Sequence, residues 1–146
     1  MQYRGMRTFQ RLIESLGLPL EGPQCRALDL VFEEGLPGTV LLHPNGKDVA
    51  IDIWCFDAAR LTGPQQSAMV RALLSLNHAA WGLQPVQLAI DTRKFVLVHG
   101  SRALSDLDGR QFAAWLLWHV DQSRRVRALI QTLLMQPLEH AELLSP

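Results

Sequence analysis

Between Ala27 and Phe56 apolar and polar residues alternate, and turn residues break the alternation twice. Over Ala27–Phe32, Leu28, Leu30 and Phe32 fall on one face and Ala27, Asp29 and Val31 on the other, the period of a half-buried strand. Glu33-Glu34-Gly35-Leu36-Pro37-Gly38 is turn chemistry, and residues 39–43 resume an extended pattern. In Pro44-Asn45-Gly46-Lys47 the Asn-Gly pair supplies the positive φ of a tight hairpin turn. A third strand over 48–56 turns Val49, Ile51, Ile53 and Cys55 toward a core. Three consecutive antiparallel strands therefore govern what the rest of the chain can do.

The second face of strand three holds Ala50, Asp52, Trp54 and Phe56. Two aromatics beside an aspartate do not make a plain solvent face. Such a surface is covered by a helix or by the chain's own termini, or it meets a partner, because aromatic anchors are enriched at interfaces. A second hairpin repeats the excess. Strands over 86–90 and 95–99 flank the polar turn Asp91-Thr92-Arg93-Lys94, with Phe95 and Leu97 on one face and Val96 and Val98 on the other.

Helical periods occupy the remainder. Met6, Phe9, Leu12, Ile13 and Leu16 recur at helical spacing over 5–16, with Arg4, Arg7, Arg11 and Glu14 opposite. Gly17-Leu18-Pro19 is a stop signal, with glycine as a left-handed cap. A second helix begins at Gly63-Pro64. It carries two apolar stripes, Met69, Leu73 and Leu76 on one and Val70 and Leu74 on the other. One stripe faces the sheet; the other faces the third helix or a second subunit. The last helix opens at Ser105 with Asp108 three residues on, a capping-box-like start. Residues 112–120 hold only His119 as a polar group, which predicts burial nearly all round. Arg124, Arg125 and Arg127 then read as a solvated face before a fresh apolar stripe that Pro137 ends, in one helix or two.

Composition narrows the function classes. A 146-residue chain with 48% hydrophobic and 19% charged residues supports one domain with its own core. Zero net charge leaves no footprint for nucleic acid or an anionic membrane. The N-terminal residues hold no apolar h-region, and no apolar run nears the ~18–20 residues of a membrane span, so the expected location is the cytosol. Cys25 and Cys55 stand thirty residues apart outside any CxxC spacing and read as small buried thiols. The five histidines are isolated, and no metal, phosphate-loop or nucleophile-elbow motif occurs. Asp29 and Asp52 are the only carboxylate pair worth naming, as a site or as a solvated sheet face. The sequence therefore points away from an enzyme and predicts no cofactor and no metal.

The order helix, three strands, helix, two strands, helix carries specific residues. Phe9, Leu12 and Leu16-Gly17-Leu18-Pro19 open it, and Ala27-Leu-Asp-Leu-Val-Phe32 follows. Leu73-Leu74-Ser75-Leu76-Asn77 closes helix two, Leu88-Ala-Ile-Asp91 and Phe95-Val-Leu-Val98 form the hairpin, and Leu104-Ser-Asp-Leu107 leads into the last helix. Over roughly residues 6–121 this pattern resembles the class I type III secretion chaperones, the Tir-chaperone family. The resemblance implies an α+β fold, an antiparallel twisted sheet packed with helices, as a single domain over 1–146 with 122–146 as a possible C-terminal helical extension. It implies a bacterial cytoplasmic homodimer that binds the N-terminal region of a secreted effector, holds it extended and helps deliver it to the secretion apparatus. Neither nucleic acid nor membrane insertion enters this picture. On that expectation Trp54 and Phe56, with Val40 and Leu42, bind the effector; Phe9 and Leu12 line a groove or belong to the core. Val70, Leu74 and Trp81 are the expected dimer interface. The rival readings are a regulatory or structural protein-interaction domain of the same shape, and a small enzyme with a dispersed site.

Overall fold

The computed structural model describes residues 2–18, 22, 25–78 and 86–134. Its element order is the expected one. Helix α1 (Gln2–Ser15) precedes strands β1 (Ala27–Phe32), β2 (Leu36–Leu42) and β3 (Asp48–Asp57). Helix α2 (Gly63–His78), strands β4 (Val86–Ile90) and β5 (Phe95–Ala103), and helix α3 (Gly109–Leu134) follow. The five strands form one antiparallel sheet in the order β1-β2-β3-β5-β4, leaving β1 and β4 as its edges.

The alternation in sequence becomes burial in register. Val40 lies opposite Ile51 and Val49 opposite Leu42, while Ile53 pairs with Val98 across β3 and β5. All six are buried. Phe9 and Ile13 of α1, Met69 and Leu73 of α2, and Phe112, Trp115 and Ile130 of α3 join the same core. The helices thus cover one face of the sheet. The opposite face carries Asp29, Val31, Thr39, Trp54, Leu97 and His99 and has no helix of the described residues upon it.

Several boundaries differ from the sequence reading, each for a local reason. The β2–β3 connection spans residues 43–47, and only Gly46 takes positive φ. Asn45 there turns its Oδ1 to accept from the amides of Lys47 and Asp48, so its side chain closes the loop. Ser105 lies in a short 3-10 turn, and the α3 cap is Asp108. Its Oδ1 accepts from the Gln111 amide at 2.7 Å, and Gln111 Oε1 accepts from the Asp108 amide at 2.9 Å, a reciprocal box one turn later than expected. Thr62 and Gln65 repeat the device at α2.

Helix α3 is a single helix as far as Leu134. Its segment 112–120 is not buried all round: Leu117 is 72% exposed and Ala114 is exposed, because only the side toward the sheet finds partners. The arginines are also not simply solvated. Arg124 pairs with Glu33 at 2.9 Å, and Arg127 pairs with Glu34, tying the second half of α3 to the β1–β2 connection. Cys25 is partly exposed, with its thiol toward the Ala27 carbonyl, and only Cys55 is buried. Burial pushes the Cys55 thiol up to about 12, so it is an inert packing group.

Gly5 sits inside α1, where glycine costs roughly 0.5–1 kcal/mol relative to alanine. A Cβ at this position would run into the carbonyl oxygen of Gly46. The missing side chain is what lets the helix rest its backbone on the β2–β3 turn.

Candidate functional site

The uncovered sheet face is ordered in rows. Asp29 lies opposite Thr39, Thr39 opposite Asp52, Asp52 opposite His99, and His99 opposite Gln87, so one polar row crosses all five strands. The two aspartates named from sequence therefore share a face, with Thr39 between them. Thr39 donates to Asp29 Oδ1 at 2.8 Å, and His99 Nδ1 lies 2.5 Å from Asp52 Oδ1. Beside this row runs an apolar one. Val31 faces Pro37, and Trp54 faces Leu97, which in turn faces Ala89. Val31 is 77% exposed.

A groove of about 480 Å³ follows the apolar row, between Val31 and Pro37 on one side and Trp54, Phe95 and Arg93 on the other. Its far wall is fixed by one carboxylate. Asp91 Oδ1 accepts from the amides of Arg93 and Phe95, both at 2.9 Å, and Oδ2 accepts from the Trp54 indole at 3.1 Å. Chiefly the Phe95 amide, with the other donors, holds the Asp91 carboxyl below its ordinary value. The Arg93 guanidinium lies over the Phe95 ring, 5.7 Å from its centre. The indole is thus held in place by the fold itself. A second shallow groove of about 480 Å³ flanks the Asp52–His99 pair toward β4.

The expected site residues separate. Trp54 lies on the open face. Phe56 does not join it, because β3 shifts register between Trp54 and Phe56. The surplus residue places Phe56 opposite the buried Val96, where it packs against the core. Val40 and Leu42 face the helices and are buried, as are Phe9 and Leu12, so these four do not form a surface with Trp54. The α2 stripes divide as read: Met69 and Leu73 are buried, and Val70 and Leu74 are 40% and 60% exposed. Trp81 lies outside the described residues. Val31, Pro37 and Phe95 were missed as groove residues; the alternation of β1 did place Val31 on the right face.

The Asp52 hydrogen bond raises His99 above its ordinary value of 6.5, against a smaller opposing effect of burial. A group whose value rises on folding stabilises the fold at pH below its unfolded value, and that stability fades as pH climbs through the folded value. Replacing His99 by glutamine is expected to lower the melting temperature more at about pH 5.5 than at about pH 8.5. Buried His119 is shifted the opposite way, mainly by loss of solvation. The charged His99 is the least of the causes of that shift, so its removal relieves His119 slightly and works against the expected loss at low pH. An equal loss at both pH values would mean that the Asp52 contact does not favour the charged ring.

Among the described residues no group of three or more histidine, cysteine, aspartate or glutamate side chains could hold a metal ion. No helix there is long and apolar enough to cross a membrane.

Neither a protein-family model nor a curated protein matches the sequence. Solved structures do match by fold. A chain of the ExsC–ExsE complex superposes with a TM-score of 0.69 at 19% identity, over 89% of this chain and 96% of that one. A chain from the complex of the Yersinia pestis type III secretion chaperone SycH with a stable fragment of YscM2 gives 0.61 at 17% identity, over 84% and 98%. A chain of the HopA1–SchA chaperone–effector complex gives 0.61 at 14%, over 86% and 97%.

Proposed function

We propose that this chain, which has the fold of the type III secretion chaperones, is itself a secretion chaperone that holds part of an effector polypeptide in extended form. The observation that carries this reading is the uncovered sheet face, where an apolar groove lies against a pre-set indole. An extended segment suits such a face, since its side chains enter the groove while its backbone remains free to pair with the exposed edge strand β1. The segment is the N-terminal region of a secreted effector, kept from folding until it is handed to the secretion apparatus. No catalytic step belongs to this role, and its place is the bacterial cytoplasm.

Co-expression with the N-terminal segment of a candidate effector should yield a soluble complex in which that segment exchanges its amides rapidly, except where it lies on the sheet. A chain recovered free, or bound only to a folded partner, would overturn the reading. A folded partner would favour a regulatory interaction domain.

The same reading makes the chain a homodimer through the outer stripe of α2. Val70 and Leu74 are exposed at positions that a single-chain core does not use. The double substitution Val70→Asp, Leu74→Asp is expected to halve the solution mass with little loss of helicity, because two charges facing each other across a closed interface cost several kcal/mol. A mass unchanged by the pair would place the interface elsewhere.

A further inference from the structure

The first two turns of α1 and the β2–β3 turn enclose a cleft of about 1040 Å³, at a different place from the Trp54 groove. Gly5 and Gly46 approach backbone to backbone within it, and the Leu104 amide donates to the Lys47 carbonyl at 2.8 Å along its rim. Three cations line it: Arg4 and Arg7 from the helix and Lys47 from the turn, all exposed. Asp48 is the one carboxylate in its lining, and its Oδ2 accepts from the Asn45 amide group at 2.8 Å.

Among the described residues the lining thus sets three cations against one carboxylate. Neither arginine nor Lys47 makes an ion pair among the described residues. The first turn of α1 also holds no acidic residue. A cation in the first turn of a helix opposes its dipole, so Arg4 weakens the helix that carries it. Nothing in the described fold offsets that cost, and a negatively charged partner would.

We propose that this cleft receives an acidic, extended segment of a partner polypeptide, whose carboxylates pair with Arg4, Arg7 and Lys47. The arrangement favours a chain over a small anion. The cationic heads come from two separate elements and line an open trough, and the Thr8 and Ser105 side chains along it suit a peptide backbone. Ala103 and Leu104 provide apolar lining between the charges. The inference stands apart from the Trp54 groove, so either site can fail alone.

The test uses the full chain and two labelled peptides of equal length, one of alternating glutamate and serine and one of alternating lysine and serine, followed by fluorescence anisotropy. The acidic peptide is expected to bind and the basic one not. Binding should weaken as salt shortens the screening length from about 10 Å at 0.1 M to about 3 Å at 1 M. The variant Arg4→Glu, Arg7→Glu, Lys47→Glu should bind the acidic peptide at least roughly tenfold more weakly, at a melting temperature no lower than that of the wild type because glutamate suits the helix N-terminus. Should that variant unfold, the neutral pair Arg7→Gln, Lys47→Gln serves, with a smaller loss in the same direction. Trp54→Ala should leave this binding intact. The proposal is overturned if the acidic peptide fails to bind or binds the reversed variant equally well. It is also overturned if inorganic phosphate at matching concentration displaces the peptide, or if the three reversals change the solution mass, which would assign the cleft to a small anion or to a second copy of the chain.

Discussion

Replacing Trp54 by alanine is expected to weaken binding of the partner segment by about 2 kcal/mol or more, roughly thirtyfold, while the chain stays folded. Trp54 is half-buried on a face that no helix of the described residues covers, so its loss opens no cavity in the main core. Its indole nevertheless forms a wall of the groove, and Asp91 fixes the ring's orientation. An aromatic held in its binding geometry beforehand loses little freedom when a partner docks, which is why such residues dominate interface energetics. Asp91 keeps its two amide donors without the indole, so the β4–β5 turn should persist and the melting temperature should shift little. Trp54→Phe keeps an aromatic ring without the hydrogen bond and should lie between the two. Calorimetric titration of the labelled effector segment provides the measurement. Equal affinity for wild type and Trp54→Ala would mean that the segment crosses the molecule by another route.

The second large effect is on stability. Gly100→Ala is expected to cost about 1–3 kcal/mol, a fall in melting temperature of roughly 3–10 °C. A methyl group there would lie 2.9 Å from His119 Cε1, 3.1 Å from its Nδ1 and 3.5 Å from Trp115 Cζ2. Neither ring has room to retreat, since both are almost completely buried. His119 is also pinned: its Nε2 lies 2.7 Å from the Val98 carbonyl oxygen, a contact that requires the ring to carry its proton on Nε2. The cost should shrink when His119 is replaced by alanine, because the crowding then disappears. Denaturant unfolding of the four proteins in this cycle reads the coupling directly. A Gly100→Ala penalty of equal size in both backgrounds would exclude ring crowding as its cause.

Periodicity exposed much of this architecture, and its failures share a physical origin. The inner residues of β3 and the two stripes of α2 are visible because burial on one side imprints a period of 2 or 3.6. The same pattern cannot tell which apolar side is covered by the chain itself and which is offered to a partner. Phe9, Leu12, Val40 and Leu42 look no different in sequence from surface anchors, yet they are core. Nor does alternation reveal where one strand has a residue too many, which is why Phe56 seemed to accompany Trp54. The polar row from Asp29 to Gln87 exists only through register across five strands. The cationic cleft joins α1 to a turn more than thirty residues away, and nothing local to Arg4 or Lys47 announces that meeting.

The surplus residue in β3 sets how much apolar surface the open face shows. With one-to-one pairing of all residues beyond Trp54, Cys55 would lie opposite Val96 and Phe56 opposite Phe95, on the face that holds Trp54. The extra residue instead puts Phe56 opposite the buried Val96, so its ring adds to the core and not to the open face. The apolar area of the open face is therefore set by strand pairing at one point of β3, where a buried side chain and not a groove residue sits.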